Sequence, residues 1–346
     1  MRQGGRVVAA FEKVASAQAL TRRFDKAGDF GSALLGGEFE CLPARGEAFA
    51  ATLRVLSVGD MVVQQGTTSA HRTRGGIFPG IAVLIVNLQA AERPARVNGA
   101  ELGTAEAVLL GGGTELTVYN PRYLDWAALA LPLPLLEELV EVVPLALRVR
   151  GASSLLALRP DRAARLASAL SAAGRLAEDL PAMVNTPCCA SNLAMALREE
   201  VAAALTAEAE IRPRPRAVGQ ALRIVAAAEA FMEADLTRPV YTEQLCAALG
   251  VSARCLHDAF HAALGISPHA YLKSRRLMLV RRALLSRQDG PDLVKSVALG
   301  HGFWNLGHFA RDYRALFGEL PSETLAPRGA KGSAHGCPRK AGVGAA

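Results

Sequence analysis

The sequence predicts an α+β fold in two domains. An N-terminal antiparallel β-barrel or sandwich with helices docked on it precedes an all-α domain, in which two helix-turn-helix units are joined by a long helix. Three observations carry this expectation. Short runs rich in Val, Ile, Leu and Thr, separated by Gly, Asn and Pro, fill residues 38–120. A two-helix unit is repeated in the last third of the chain. Charge is divided between the halves: residues 1–211 hold 20 Lys and Arg against 22 Asp and Glu, whereas residues 212–346 hold 19 against 10.

At 346 residues the chain can bury two separate cores. Its 51% hydrophobic content leans on Ala and Leu, which favours helices. The sequence shows no secretory h-region and no apolar run of about 18 residues, so a soluble, cytoplasmic protein with no membrane partner is expected. The six cysteines (41, 188, 189, 246, 255 and 337) form no C-x-x-C pair and are expected to be free thiols.

In chain order, residues 8–24 suggest a short helix and a Gly-rich connection follows. The β-rich region 38–120 offers strands at 51–58, 61–65, 81–88, 107–110 and 115–119. Asn98-Gly99 is the dipeptide favoured in two-residue hairpins, because both central residues need positive φ. The Gly111-Gly112-Gly113 run suggests another reversal. Helices return over residues 126–210, at 133–143, 161–179 and 193–208; the second carries Leu166, Ala169, Leu170, Ala173 and Leu176 on one stripe.

Residues 211–216, Ile-Arg-Pro-Arg-Pro-Arg, read as a linker between a first domain of residues 1–210 and a second of residues 217–326, because alternating prolines block helix propagation. Beyond it, helices are expected at 217–235, 242–249, 252–264, 268–286, 293–299 and 305–317. Thr242, Ser252, Ser267, Asp292 and Asn305 stand at cap positions. Residues 327–346 are Gly-, Lys- and Ala-rich without hydrophobic period and are expected to be disordered.

The repeat is visible in two glycines. Relative to Gly265, Leu256, Phe260, Leu264 and Pro268 hold the same offsets that Phe309, Tyr313, Phe317 and Pro321 hold relative to Gly318. Each set lays an apolar stripe on one helix face and then stops the helix. A basic region carrying helix-turn-helix units has the electrostatic footprint of a DNA binder.

Residues 217–326 resemble the DNA-binding domain of AraC/XylS-type transcriptional regulators. The second unit matches the family pattern at Ala298, Gly302, Phe303, Phe309, Arg311, Tyr313, Phe317, Gly318 and Pro321, and residues 271–285 resemble its linker helix. The resemblance implies a cupin-like N-terminal domain for effector sensing and dimerisation, with helices that form the dimer contact. It also implies a cytoplasmic transcription regulator, an activator working with RNA polymerase at promoter or operator DNA as a homodimer. Two departures stand out: Asp258 replaces a basic or polar residue, and Leu320 replaces a Ser/Thr cap.

Off the apolar stripes, the side chains free to read bases are Arg254, His257 and Asp258 in the first recognition helix, and Leu306, Gly307, His308 and Arg311 in the second. Arg can pair bidentately with guanine, and Leu306 can touch a thymine methyl. An enzyme is not expected, and neither cofactor nor metal is assigned. Of seven histidines only His71 precedes residue 257, and nucleophile-elbow, phosphate-loop and dinucleotide motifs are missing. The alternative is a constitutive DNA binder whose N-terminal domain only dimerises.

Overall fold

The computed structural model describes residues 19–43, 48–90, 93–140, 153–184, 186–205, 209–213, 215–234, 240–286 and 292–325. The N-terminal part begins β1 (Leu20–Phe24), α1 (Ala27–Ala33), β2 (Gly37–Pro43), β3 (Ala51–Val58), β4 (Met61–Thr68), β5 (His71–Ile77) and β6 (Ile81–Asn87). It continues β7 (Arg96–Val97), β8 (Ala100–Glu101), β9 (Glu106–Leu110), β10 (Glu115–Asn120), β11 (Leu124–Pro132), α2 (Leu133–Leu139) and β12 (Ser153–Ala157). It closes with α3 (Pro160–Asp179), α4 (Pro181–Val184), α5 (Pro187–Ala204) and β13 (Glu210–Arg212).

Two antiparallel sheets result, ordered β1-β3-β4-β11-β6-β9-β12-β13 and β2-β5-β10-β7-β8. Between them lies a core of Phe30, Val62, Val83, Val97, Leu110 and Leu116. The outer face of the larger sheet carries a second core, in which Leu56, Val63, Leu84 and Leu129 meet Leu166 and Leu170 of α3 and Leu197 and Val201 of α5. Being covered on both faces, β6 is apolar along nearly its whole length rather than alternating, and β4 is buried along nearly its whole length although its second half is Gln64, Gln65, Gly66, Thr67 and Thr68.

The expected strands appear within three residues of their predicted ends. Asn98, at φ 49°, and Gly99, at φ 75°, make the β7–β8 hairpin turn. The Gly111–Gly113 run turns the chain from β9 in one sheet to β10 in the other, with Thr114 N–H donating to Gly111 O at 3.1 Å. The helix expected over residues 8–24 is corrected where it is described: Leu20–Phe24 pairs with β3, Leu20 opposite Val55 and Phe24 opposite Ala51. Residues 8–18 lie outside the described residues.

The division into a β-rich 38–120 and a helical 126–210 also needs correction. β11 is a central strand between β4 and β6, with Leu129 opposite Val63 on one side and Leu84 on the other. Its Ala-Ala-Leu-Ala-Leu run has high helix propensity, but flanking strands supply a hydrogen-bond ladder on both edges and override it. β12 lies on β9 for the same reason. Of the expected linker, Ile211 and Arg212 belong to β13, opposite Leu156 and Leu155, because the Pro-free start can still donate to a sheet edge.

The C-terminal part comprises α6 (Arg216–Ala234), α7 (Thr242–Leu249), α8 (Ala253–Leu264), α9 (Pro268–Ser286), α10 (Asp292–Gly300), α11 (Leu306–Phe317) and α12 (Pro321–Leu325). Gly250, Gly265, Gly302 and Gly318 all have φ between 62° and 76°, so the repeat seen in sequence is a repeat of helix ends. Thr242 is the first helical residue rather than the cap: Tyr241 precedes the helix, and its N–H donates to Gln244 Oε1 at 2.9 Å. The tail 327–346 and Cys337 lie outside the described residues; Cys41, Cys188, Cys189, Cys246 and Cys255 are free.

The two parts touch through both helix-turn-helix units. Arg74 Nη1 of β5 lies 3.1 Å from Glu229 of α6, and Lys26 Nζ lies 3.0 Å from Glu319, just beyond α11. The Tyr119 ring of β10 packs on Gly265, where an added β-carbon would lie 2.3 Å away.

Candidate nucleic-acid interface

Each recognition helix is anchored by its inner face and capped at its start. In α8, Leu256, Ala259, Phe260, Ala263 and Leu264 are buried, and Ser252 Oγ accepts from Cys255 N at 3.1 Å. In α11, Phe309, Tyr313 and Phe317 are buried, and Asn305 Oδ1 accepts from His308 N at 3.0 Å. The caps satisfy orphan N–H groups and leave the N-terminal turns standing out with their polar side chains outward.

Six of the seven expected reading residues are exposed. The Arg254 side chain is 92% exposed and Asp258 68%. His257, Gly307, His308 and Arg311 are also exposed. Leu306 is half-buried and packs against the second unit's core, so any thymine contact is confined to its outer edge. Asp258 lies between two partners, with Arg254 Nε at 3.9 Å and His257 Nδ1 at 3.6 Å. Such exposed pairs are weak and exchange readily for phosphate or base contacts.

The units present different chemistry at equal offsets. Asp258 holds, relative to Gly265, the place that Arg311 holds relative to Gly318; Arg254 likewise corresponds to Gly307. Sequence reasoning missed Trp304, which is 77% exposed and precedes the cap of α11. Its signal was available as a large aromatic in a turn between two helices, outside the apolar stripe. The missing Ser/Thr at Leu320 is offset by Glu323, whose Oε2 accepts from Leu320 N at 2.6 Å.

The scaffold behind these helices is α9, whose Leu272 packs into the first unit and Leu277, Val280 and Leu284 into the second. Tyr271 donates to Glu229 on α6, while Lys273 pairs with Asp312 on α11. Burial raises the Glu229 carboxyl above its ordinary range, against the lowering pull of Arg74 and Tyr271. Among the described residues, no three His, Cys, Asp or Glu side chains cluster as a metal site, and no helix is long and apolar enough to cross a membrane.

Residues 245–326 match the model of a helix-turn-helix domain family. Over 95 residues the chain is 39% identical to XylDLEGF operon transcriptional activator 2 of Pseudomonas putida, covering 28% of this chain and 60% of that protein. It is 33% identical over 146 residues to the probable thc operon regulatory protein of Rhodococcus erythropolis, 41% of each chain. A solved probable AraC family transcriptional regulator from Rhodopseudomonas palustris is 47% identical, with a TM-score of 0.27, covering 30% of this chain and 94% of that one. The chain spans 60% of the first of these relatives and 30% of the next two operon activators it matches. The family model's span, residues 245–326, takes in the repeat, its glycines and its buried aromatic stripe, and through this C-terminal domain the chain belongs to the AraC/XylS-type transcriptional regulators.

Proposed function

We propose that the chain is a sequence-specific regulator, an activator whose affinity or activity at a promoter responds to a small-molecule effector. The observation that carries this is the pair of exposed, N-capped recognition helices mounted on one helix in the basic part of the chain. The 19 residues of α9 give it a length of about 28 Å at about 1.5 Å per residue, close to the ~34 Å repeat of the major groove. One protomer can therefore present α8 and α11 to successive groove segments. Arg254, His257, Asp258, Leu306, Gly307, His308 and Arg311, joined by Trp304, are the contact set.

In this proposal residues 1–210, extended by β13 to 212, sense the effector and dimerise, and residues 217–326 bind DNA. The partners are duplex promoter or operator DNA, RNA polymerase and a second copy of the chain in the cytoplasm. The names of the relatives as operon activators support activation over repression.

One observation favours the alternative of a constitutive binder. The space between the two sheets is a cavity of about 70 Å³ lined by Phe30, Gln64, His71, Val83, Trp126 and their neighbours. That is well below the roughly 300–1,000 Å³ of ordinary small-molecule sites, so an effector would have to open it. Selection of duplexes from a randomised pool by the full chain tests DNA recognition. A thermal-shift screen of metabolites, repeated with the selected duplex present, separates the two versions. A ligand that stabilises the chain and changes duplex affinity supports the sensor; a panel without effect on either supports the constitutive binder.

A further inference from the structure

The two helix-turn-helix units have separate apolar cores. The first is built on Val225, Leu245, Leu256, Phe260 and Leu272, and the second on Leu277, Val280, Phe303, Phe309 and Tyr313. α9 passes from one core to the other between Leu272 and Leu277. No shared apolar core therefore locks α8 to α11, and their relative setting passes through α9 and the side chains that bridge the two units.

Arg276 stands at that crossing. Its guanidinium carbon lies 5.5 Å from the ring centroid of Tyr241, beside the start of α7 in the first unit. It lies 5.3 Å from the ring of Phe303, in the turn before α11 in the second. Both distances are within reach of a cation–π attraction. Its Nε is buried without a hydrogen-bond partner, so the aromatic faces replace part of the water the group has lost. Tyr271, one turn earlier on α9, bonds Glu229 in the first unit, and Arg281, further on, lies 3.1 Å from Glu319 in the second. Arg276 reaches both.

We propose that Arg276 is a positioning residue for two-site DNA recognition. Held between one ring from each unit, it sets the separation and twist of α8 relative to α11, so that both helices enter the groove without a further ordering step. This rests on the DNA-binding function proposed above. A planar guanidinium can lie against two rings at once, whereas the compact ammonium of lysine favours one. The role is therefore specific to arginine.

The test uses the full chain and the duplex it selects, with the two half-sites read by one protomer mapped by footprinting. Three duplexes are compared: the selected one, one with a base pair inserted between half-sites, and one with a single half-site scrambled. In Arg276→Gln and in Tyr241→Leu, affinity for the selected duplex should fall about tenfold while that for the scrambled duplex stays within about twofold. The penalty for the inserted base pair should shrink in both, because a looser pair of helices tolerates a changed spacing. Arg276→Lys should fall between the wild type and Arg276→Gln. Tyr241 is 44% exposed, so its variant leaves the cores intact even if Arg276→Gln melts lower. Equal losses on the selected and scrambled duplexes, or an insertion penalty unchanged in both variants, would overturn the role of Arg276. A wild type that selects no duplex would instead overturn the DNA-binding function and the role with it.

Discussion

Arg311 projects from α11 on the side opposite Phe309, Tyr313 and Phe317, and it is free to meet a base edge or a phosphate. If it reads guanine bidentately, Arg311→Ala should cost about 1–3 kcal/mol on the selected duplex and relax preference at one base pair. Isotherms on single-base variants decide this, since an equal loss on all of them means a phosphate contact. His71 matters differently. It is buried between the sheets with Nδ1 2.8 Å from Ser69 O, and desolvation lowers its pKa from 6.5 to about 4. Above pH 6.5 both folded and unfolded chains hold it neutral. As pH falls from about 6.5 toward 4, the unfolded chain takes up a proton that the folded one cannot, so stability should drop by about 3 kcal/mol. Urea midpoints measured across that range should slope for the wild type and flatten in His71→Gln; matching slopes would assign the effect to other groups.

At the scale of elements, equal backbone conformations sit in unequal surroundings. Gly250, Gly265 and Gly318 have φ of 62°, 67° and 71°, and an alanine at any of them meets the same left-handed penalty of about 1 kcal/mol. At Gly250 and Gly318 a β-carbon meets open space, whereas at Gly265 it runs into the Tyr119 ring. Gly265→Ala should therefore lower stability more than the other two, and adding Tyr119→Ala should remove most of the excess. If all three glycine variants melt alike, the sheet does not bear on α8 as described. Capping adds a second check. Asn305→Ala should cost about 1 kcal/mol and weaken binding through a frayed first turn of α11, which helical circular dichroism and duplex affinity can follow together.

Across the whole molecule, charge is segregated and the parts are in contact. Nineteen of the 39 basic residues lie beyond residue 211 with only ten acidic ones, so residues 213–326 alone should bind duplex with a steep dependence on salt. Retention of duplex affinity by residues 1–210 would contradict this division of labour. Lys26 and Arg74 tie the sheets to Glu319 and Glu229, one carboxylate in each helix-turn-helix unit, so a change in the N-terminal part can reach both units. A ligand acts through this contact only if it binds two arrangements with different affinity. If Pro213 and Pro215 transmit such a change by restricting the backbone, replacing both with glycine should spare duplex binding and reduce the response to effector in a reporter assay. A response equal to the wild type would place the coupling in the direct contacts instead.

The C-terminal domain was legible because its signals are local. Helix periodicity, a Ser or Asn cap, a glycine at the helix end and a proline three residues later all act within one turn or two, and α8 and α11 appear where Ser252, Gly265, Asn305 and Gly318 place them. The hairpin at Asn98-Gly99 was legible for the same reason. Trp126 to Leu131 was not, because an Ala- and Leu-rich run has no local preference for a strand; β4 and β6, tens of residues earlier in the chain, determine it by offering ladders on both sides. Leu20–Phe24 became a strand for the same non-local reason, through its pairing with β3. The candidate reading residues could be named from the faces left over by the apolar stripes. What only tertiary structure decided was their company: Asp258 drawn between Arg254 and His257, Leu306 half-claimed by the core, Trp304 left in the open, and Arg276 set between rings that lie 35 positions before it and 27 after it in the sequence. Sequence spacing fixes which face of a helix a residue occupies, but which neighbour that face meets depends on chain folded back from elsewhere.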